Sequence, residues 1–221
     1  MMILYHGSEY VIERPVYGGG KPYNDYGRGF YCTEFPDMGR EWSVTSEHGG
    51  YLNKYELDDT ELDVLDLKEH SVMTWLAVLL SNRHFDAATP LAREAKRYII
   101  DEFSIDCGKY DLIRGYRADD SYFSFARDFI NGEISYDELG RSMQLGELGE
   151  QIVLKSRRAF ERITFLEFER VPAEIWLPKR QARDEKARRA YFDLDKKYVK
   201  GALYVTRILD EEIRKDDPRI R

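Results

Sequence analysis

The apolar residues of the chain fall into short runs that predict a mixture of strands and helices. Strands are predicted at residues 2–7, 30–33, 51–57, 64–67, 110–116, 151–155 and 164–170. Helices, where apolar positions recur every three or four residues, are predicted at residues 35–46, 71–80, 90–103, 121–131 and 135–143. These elements do not alternate regularly, and no GxGxxG motif is present. The pattern therefore favours an α+β domain over a Rossmann fold.

A change in composition near Pro178 indicates how the chain is organised. Before it, apolar runs alternate with turns and with helix-start signals, such as Ser135 followed by Glu138 three residues later. After it, the chain is highly charged and favours helix. We therefore predict one α+β domain at residues 1–178 and a charged helical extension at residues 179–221.

The charge balance and the apolar content exclude several classes of protein. The net charge is −7 and the pI is near 5.3, so the chain has no bulk attraction for nucleic acid or anionic lipid, although a local basic patch would still allow it. The longest apolar stretch, at residues 74–80, is too short to cross a membrane, and the first residues do not resemble a signal peptide. Cys32 and Cys107 are read as reduced thiols. We expect a cytoplasmic protein.

Two short segments contain the residue types that a nucleotide site needs. In residues 4–8, LYHGS, a histidine at a strand end is followed by glycine. Gly7 leaves the backbone open to a ligand, and its N–H and C=O can hold a planar amide while His6 bonds a ribose hydroxyl. In residues 27–31, GRGFY, a glycine-flanked turn leads into an aromatic strand. Each segment alone is also typical of purely structural roles.

In this order, the two segments resemble the H-Y-E branch of the ADP-ribosyltransferase superfamily, which includes the poly(ADP-ribose) polymerases and diphtheria toxin. The resemblance implies that His6 bonds the adenosine-side ribose of NAD⁺, that Gly7 holds the nicotinamide carboxamide, and that Tyr31 stacks on the nicotinamide ring. The implied cofactor-binding set also contains two residues of the glycine loop and an aromatic residue on the next helix. Its members are His6, Gly7, Ser8, Arg28, Gly29, Tyr31 and Trp42. Among these, Arg28 is the candidate for the pyrophosphate, and a core position is the alternative for Trp42.

The third element of this branch is an acidic or amide residue at the start of a later strand. Cleavage of the nicotinamide–ribose bond places positive charge on the ribose, which a carboxylate would stabilise and an amide would only orient. Glu150 and Gln151 both stand at the matching position. Adjacent strand residues point to opposite faces, so only one of them can face the cleft. The predicted catalytic set is His6 and Tyr31 with either Glu150 or Gln151.

Longer segments resemble domain-of-unknown-function family 3990, a bacterial family assigned to the same superfamily. They are residues 115–123, GYRADDSYF, and residues 145–156, LGELGEQIVLKS, and the resemblance extends over roughly residues 2–171. It implies a split mixed sheet with flanking helices of the ADP-ribosyltransferase type. It also implies the toxin of a toxin–antitoxin-like pair, with a small protein antitoxin as partner.

The turn at residues 117–120 has two interpretations. Asp119 and Asp120 precede a predicted helix, so both suit N-terminal capping. Alternatively, one of them faces the cleft and orients or deprotonates an acceptor, with Arg117 meeting a phosphate or pairing with these acids.

The leading interpretation of the sequence is an ADP-ribosyltransferase that uses NAD⁺ as substrate and transfers ADP-ribose to a protein, a nucleic acid or a small molecule. The alternatives are an NAD⁺ or ADP-ribose binding module with little turnover, and an NAD⁺-dependent RNA 2′-phosphotransferase. The remaining histidines have no spacing that suits a metal ion, so no metal is expected.

Overall fold

Two β-sheets form the centre of the protein. The computed structural model describes residues 1–45, 48–118, 120–143, 149–193 and 198–220, with the backbone alone for residues 120–122. The first sheet is antiparallel, with the order β1-β3-β7, and consists of β1 (Met2–Ser8), β3 (Gly50–Leu57) and β7 (Ile163–Val171). It has one register shift, between Lys54 and Tyr55 of β3.

The second sheet is mixed and has the order β2-β6-β5-β4. Its strands are β2 (Phe30–Cys32), β4 (Val64–Asp66), β5 (Leu112–Tyr116) and β6 (Glu150–Leu154). Only β4 and β5 are parallel; the other neighbours are antiparallel. The two sheets meet where the Tyr5 N–H donates to the Thr33 carbonyl at 2.8 Å and the Thr33 N–H donates to the Tyr5 carbonyl at 2.9 Å. This bridge brings the end of β2 against the middle of β1.

Helices surround both sheets. They are α1 (Pro36–Ser43), α2 (Val72–Asn82), α3 (Pro90–Phe103), α4 (Asp120–Ile130), α5 (Tyr136–Ser142), α6 (Arg157–Glu161), α7 (Ala173–Phe192) and α8 (Val205–Asp210). The predicted capping box opens α5: the Ser135 side chain accepts from the Glu138 N–H, and the Glu138 carboxylate accepts from the Ser135 N–H. The two sheets and the helices packed on them confirm the α+β prediction. The sequence pattern missed α6, which is too short to show helical periodicity.

The chain beyond Pro178 is part of the main hydrophobic core. The predicted boundary at residue 178 lies inside α7, which runs continuously from Ala173 to Phe192. Apolar side chains from this region, among them Ala187, Tyr191 and Ile208, pack with the buried residues of α2, α3 and α4. The charged residues of this segment obscured those few apolar positions. No helix among the described residues is long and apolar enough to cross a membrane.

Candidate functional site

A cleft made of two adjoining cavities lies beside the bridge between the sheets. The larger, here the His6 cavity, has a volume of about 740 Å³, and its lining includes His6, Gly7, Arg14, Lys21, Gly29 and Phe30. The smaller, here the Gln151 cavity, has a volume of about 300 Å³, and its lining includes Asp25, Arg83, Arg117, Gln151, Arg180 and Asp184. Both cavities share Asn24, Tyr31 and Trp42 as walls.

His6 is held as a neutral hydrogen-bond acceptor at one end of the cleft. Its Nδ1 lies 2.7 Å from the Tyr31 carbonyl oxygen. Because a carbonyl can only accept, Nδ1 carries the proton and Nε2 keeps its lone pair. The ring also packs on Phe30, with the centroids 4.4 Å apart. Burial lowers the pKa of His6, so the imidazole stays neutral near pH 7. Such a ring can accept a hydrogen bond from a hydroxyl of a ligand.

Gly7 is required for the close approach of α1 to β1. A Cβ at this position would collide with the Gly39 carbonyl oxygen and would lie 2.6 Å from the Ser43 nitrogen. The sequence suggested glycine for access by a ligand, and Gly7 does line the His6 cavity. The stronger requirement for glycine at position 7 is this packing against α1. Because α1 also carries Trp42, the same close approach brings Trp42 into the cleft.

Tyr31 presents its ring to both cavities while its hydroxyl holds a neighbouring turn. The hydroxyl accepts from the Tyr26 N–H at 3.0 Å and donates to the Gly27 carbonyl at 2.7 Å. The ammonium of Lys155 stabilises the same turn by donating to the carbonyl oxygens of Tyr26 and Arg28, both at 2.5 Å. Burial raises the pKa of Tyr31, so the phenol remains protonated. The ring is thus fixed before any ligand arrives.

Trp42, on α1, forms part of the wall that the two cavities share. The Arg117 guanidinium lies over the indole, 5.2 Å from its centroid. The indole Nε1 has no hydrogen-bond partner among the described residues. Trp42 is half-buried and lines both cavities, so it belongs to the cleft rather than to the core alone. Arg117 lines the Gln151 cavity, as one of the two sequence interpretations required.

Glu150 and Gln151 point to opposite sides of β6, and it is Gln151 that faces the cleft. Gln151 is 3% exposed, and its Nε2 donates to Asp25 Oδ2 at 2.9 Å and to the Tyr116 carbonyl at 3.2 Å. Glu150 lies on the other side, where it pairs with Lys68 at 2.6 Å and with Arg114 at 3.5 Å. Glu150 lines neither cavity, so the structure does not bring it to His6 and Tyr31.

Asp25 is a site residue that the sequence pattern did not reveal. It is 5% exposed, and its Oδ2 accepts from the Ala118 N–H at 2.8 Å as well as from Gln151. Its Oδ1 accepts from Arg83 at 3.1 Å. Burial raises the pKa of this carboxyl group. In the sequence Asp25 stands among glycines and prolines, where an aspartate is typical of a turn.

Ser8 and Arg28 lie near the His6 cavity but do not line it. The Ser8 hydroxyl donates to the Tyr10 carbonyl at 2.5 Å and accepts from Asn53 at 3.1 Å. The exposed Arg28 donates to the Gly18 carbonyl at 3.0 Å. Both side chains therefore make hydrogen bonds that shape the loop, and their expected contact with a ligand stays a prediction.

Two cations and a glycine also line the His6 cavity. Arg14 and Lys21 are the cationic side chains of the His6 cavity. Gly29 also lines this cavity, and a Cβ there would lie 2.7 Å from the Leu154 carbonyl oxygen. Asp119 lies outside the described residues, and Asp120 begins α4 with its side chain undescribed. Both interpretations of these two acids remain open.

Helix α7 supplies part of the wall of the Gln151 cavity. Arg180 lines it while donating to the Val44 carbonyl at 2.8 Å, and Asp184 lines it one turn later. Between them, Arg183 pairs with the buried Glu41 of α1 at 2.7 Å. These contacts attach α7 to the helix that carries Trp42. Within the described part of the chain, no three His, Cys, Asp or Glu side chains are grouped as metal ligands.

Comparison with known protein families gives a match to one family of unknown function. The sequence profile of a family described as "Protein of unknown function (DUF3990)" matches residues 2–165. No curated protein matches the chain, and no solved structure matches it. The matched span contains β1 to β6 and reaches into β7, and it includes His6, Tyr31 and Gln151. Because the match covers well over half of its length, the chain belongs to the DUF3990 family.

Proposed function

We propose that the protein binds NAD⁺ in this cleft and transfers its ADP-ribose to an acceptor. The observation that carries the proposal is the meeting of His6, Tyr31 and Gln151 in adjoining cavities. The resemblance to the H-Y-E branch gives His6 and Tyr31 with either Glu150 or Gln151, and Gln151 is the one of the two that lines the cleft. The three residues come from three different strands. The cavity volumes, about 740 and 300 Å³, are in the range of small-molecule sites, roughly 300–1,000 Å³.

The chemistry of the lining suggests how NAD⁺ would lie. The nicotinamide ring stacks on Tyr31, with its carboxamide at the backbone of Gly7. His6 Nε2 accepts from a ribose hydroxyl. Arg14 and Lys21 line the cavity and supply positive charge for the pyrophosphate, in addition to the exposed Arg28 for which the sequence predicted this role. In this pose the reacting ribose carbon lies near Tyr31, at the junction of the two cavities.

The proposed reaction breaks the bond between the ribose C1′ and the nicotinamide nitrogen. The bonding electron pair leaves with nicotinamide, which departs as a neutral molecule. A lone pair of the acceptor then forms a new bond to C1′, and the acceptor loses its proton to solvent. Positive charge builds up on the ribose in between, so groups that stabilise it there accelerate the step.

The proposal is tested by incubating the full chain with NAD⁺ and measuring nicotinamide release and calorimetric binding. His6→Ala and Tyr31→Ala are expected to weaken NAD⁺ binding. Gln151→Ala is expected to reduce release, whereas Glu150→Ala, its neighbour on the opposite face, serves as the matched control. Labelled NAD⁺ with a cell lysate then shows whether the acceptor is a protein or a nucleic acid. Undetectable binding of NAD⁺ would overturn the proposal.

A second candidate is an NAD⁺ or ADP-ribose binding module with little turnover. It is favoured by one observation: the cleft-facing residue of β6 is the amide Gln151 and not the carboxylate Glu150. Calorimetry would then show binding to the wild-type chain, while nicotinamide release stays at the rate of the reaction without protein. The same pair of measurements therefore separates the two candidates.

A further inference from the structure

The hydrogen bonds of Gln151 determine which of its atoms faces the cavity. The side-chain amide has two N–H donors on Nε2 and one acceptor, Oε1. Both donors are used, one by Asp25 Oδ2 and one by the Tyr116 carbonyl. Since Gln151 lines the cavity, Oε1 is the atom that remains for a ligand. Two acceptors set this orientation, Asp25 Oδ2 and the Tyr116 carbonyl oxygen, because neither could accept from a flipped amide oxygen.

The carboxylate of Asp25 is itself held in one position by groups from separate elements. The donors are the N–H of Ala118, a residue that follows β5, the guanidinium of Arg83, which follows α2, and the amide of Gln151 on β6. A buried carboxylate is costly unless hydrogen-bonded, and burial raises the pKa of Asp25 in spite of these partners. A carboxyl group in a cleft that is perturbed by desolvation and by specific charge partners, here Arg83 and Arg117, is a candidate functional group.

We propose that Asp25 is a positioning residue for NAD⁺ cleavage, which holds Gln151 Oε1 toward the ribose and supplies the negative charge that an amide lacks. The inference rests on the proposed function. Asp25 polarises the amide by accepting from its Nε2, which increases the negative partial charge on Oε1. Oε1 accepts from a ribose hydroxyl while charge develops at C1′. Together, Asp25 and Gln151 provide the negative charge and the acceptor oxygen that a single glutamate would provide.

The test separates the charge of Asp25 from its hydrogen bonds. In Asp25→Asn, the amide oxygen can still accept from Ala118 and Gln151, while the new NH₂ group faces Arg83, whose side chain is 25% exposed and can turn to solvent. This variant removes the charge and keeps the orientation of Gln151. Asp25→Ala removes the charge and the shorter of the two hydrogen bonds that orient Gln151, and leaves the Tyr116 carbonyl as its remaining acceptor. The readouts are calorimetric affinity for NAD⁺, the rate of nicotinamide release and the thermal unfolding temperature of each chain.

We expect Asp25→Asn to bind NAD⁺ within about twofold of the wild type and to release nicotinamide roughly 100-fold more slowly, as loss of a nearby charge in a partly buried site predicts. Asp25→Ala should lose affinity as well as rate. Adding Gln151→Glu to Asp25→Asn returns a negative charge to the site and should recover about tenfold of the rate. A purely structural role would not give this rescue.

Each other outcome overturns the proposal in a recognisable way. If the wild-type chain neither binds NAD⁺ nor releases nicotinamide, the proposed function fails, and this inference fails with it. If the wild-type chain binds NAD⁺ without releasing nicotinamide, there is no cleavage for Asp25 to promote, and the inference fails. If it releases nicotinamide and Asp25→Asn does so equally fast, the proposed function stands and Asp25 has no part in it. Equal losses of affinity, rate and unfolding temperature in both variants would show a structural role.

Discussion

Replacing Tyr31 by phenylalanine removes one oxygen atom and keeps the ring that lines the cleft. The lost hydroxyl leaves the Tyr26 N–H and the Gly27 carbonyl, which it bonds at 3.0 and 2.7 Å, without partners in a buried turn. Each unsatisfied buried group costs about 1–3 kcal/mol. We expect Tyr31→Phe to lower the free energy of unfolding by about 2–4 kcal/mol, which is roughly 5–15 °C for a domain of this size.

The same substitution should have little effect on the affinity for NAD⁺, because the proposed contact is with the face of the ring. Tyr31→Ala removes that face, and loss of an aromatic stack is worth about 1–3 kcal/mol. We therefore expect Tyr31→Phe to bind within about twofold of the wild type and Tyr31→Ala to bind about 10- to 100-fold more weakly.

Urea unfolding and calorimetry on the three chains provide the measurements. An unfolding free energy of Tyr31→Phe equal to that of the wild type would refute the role of the hydroxyl in holding the turn. Equal losses of NAD⁺ affinity in Tyr31→Phe and Tyr31→Ala would show that the hydroxyl, not the ring face, contacts the ligand.

Other predictions concern packing, pH and growth. Gly7→Ala should displace α1 and with it Trp42, so unfolding temperature and NAD⁺ affinity should fall together. Gly140→Ala, where a Cβ on helix α5 meets nothing within 4 Å, is the control: it should leave the affinity unchanged and raise the unfolding temperature slightly, since alanine favours helix over glycine by about 1 kcal/mol. The depressed pKa of His6 lies below its value of 6.5 in the unfolded chain, so the unfolded state binds more protons and stability is lost as pH falls below about 6.5. His6→Gln should flatten this part of the pH dependence of urea unfolding, and an unchanged slope would contradict the assignment. If the protein is a toxin, its expression should arrest bacterial growth and His6→Ala should relieve the arrest, as colony counts can decide.

Local patterns predicted the elements well because strand alternation and helix capping are short-range effects. The box at Ser135 and Glu138 is an example, since both partners lie within one turn. The motif order likewise suggested that His6 and Tyr31 act together, and the structure joins them by a hydrogen bond of 2.7 Å. The alternation of side chains along a strand predicted that Glu150 and Gln151 would face opposite ways, but not which of them would face the cleft.

The different surroundings of Asp25 and Arg28 could not be predicted from the sequence, because the partners of Asp25 come from distant segments. Both stand in the same glycine-rich stretch and look equally exposed there. The chain then closes over Asp25 with Gln151 and Ala118, whereas Arg28 turns outward to Gly18. Such burial depends on how the sheets and helices assemble, which no local pattern encodes.

Helix α7 has a consequence for how this protein could diverge from other members of its family. The family profile ends at residue 165, yet Arg180 and Asp184 complete the wall of the Gln151 cavity. His6 and Tyr31, by contrast, lie within the matched span. Under the proposed function, the residues that contact NAD⁺ lie within the matched span, while the chamber next to the reacting ribose is partly walled by a helix outside it. Substitutions at Arg180 or Asp184 can thus reshape this chamber while the proposed contacts of His6 and Tyr31 with NAD⁺ stay in place.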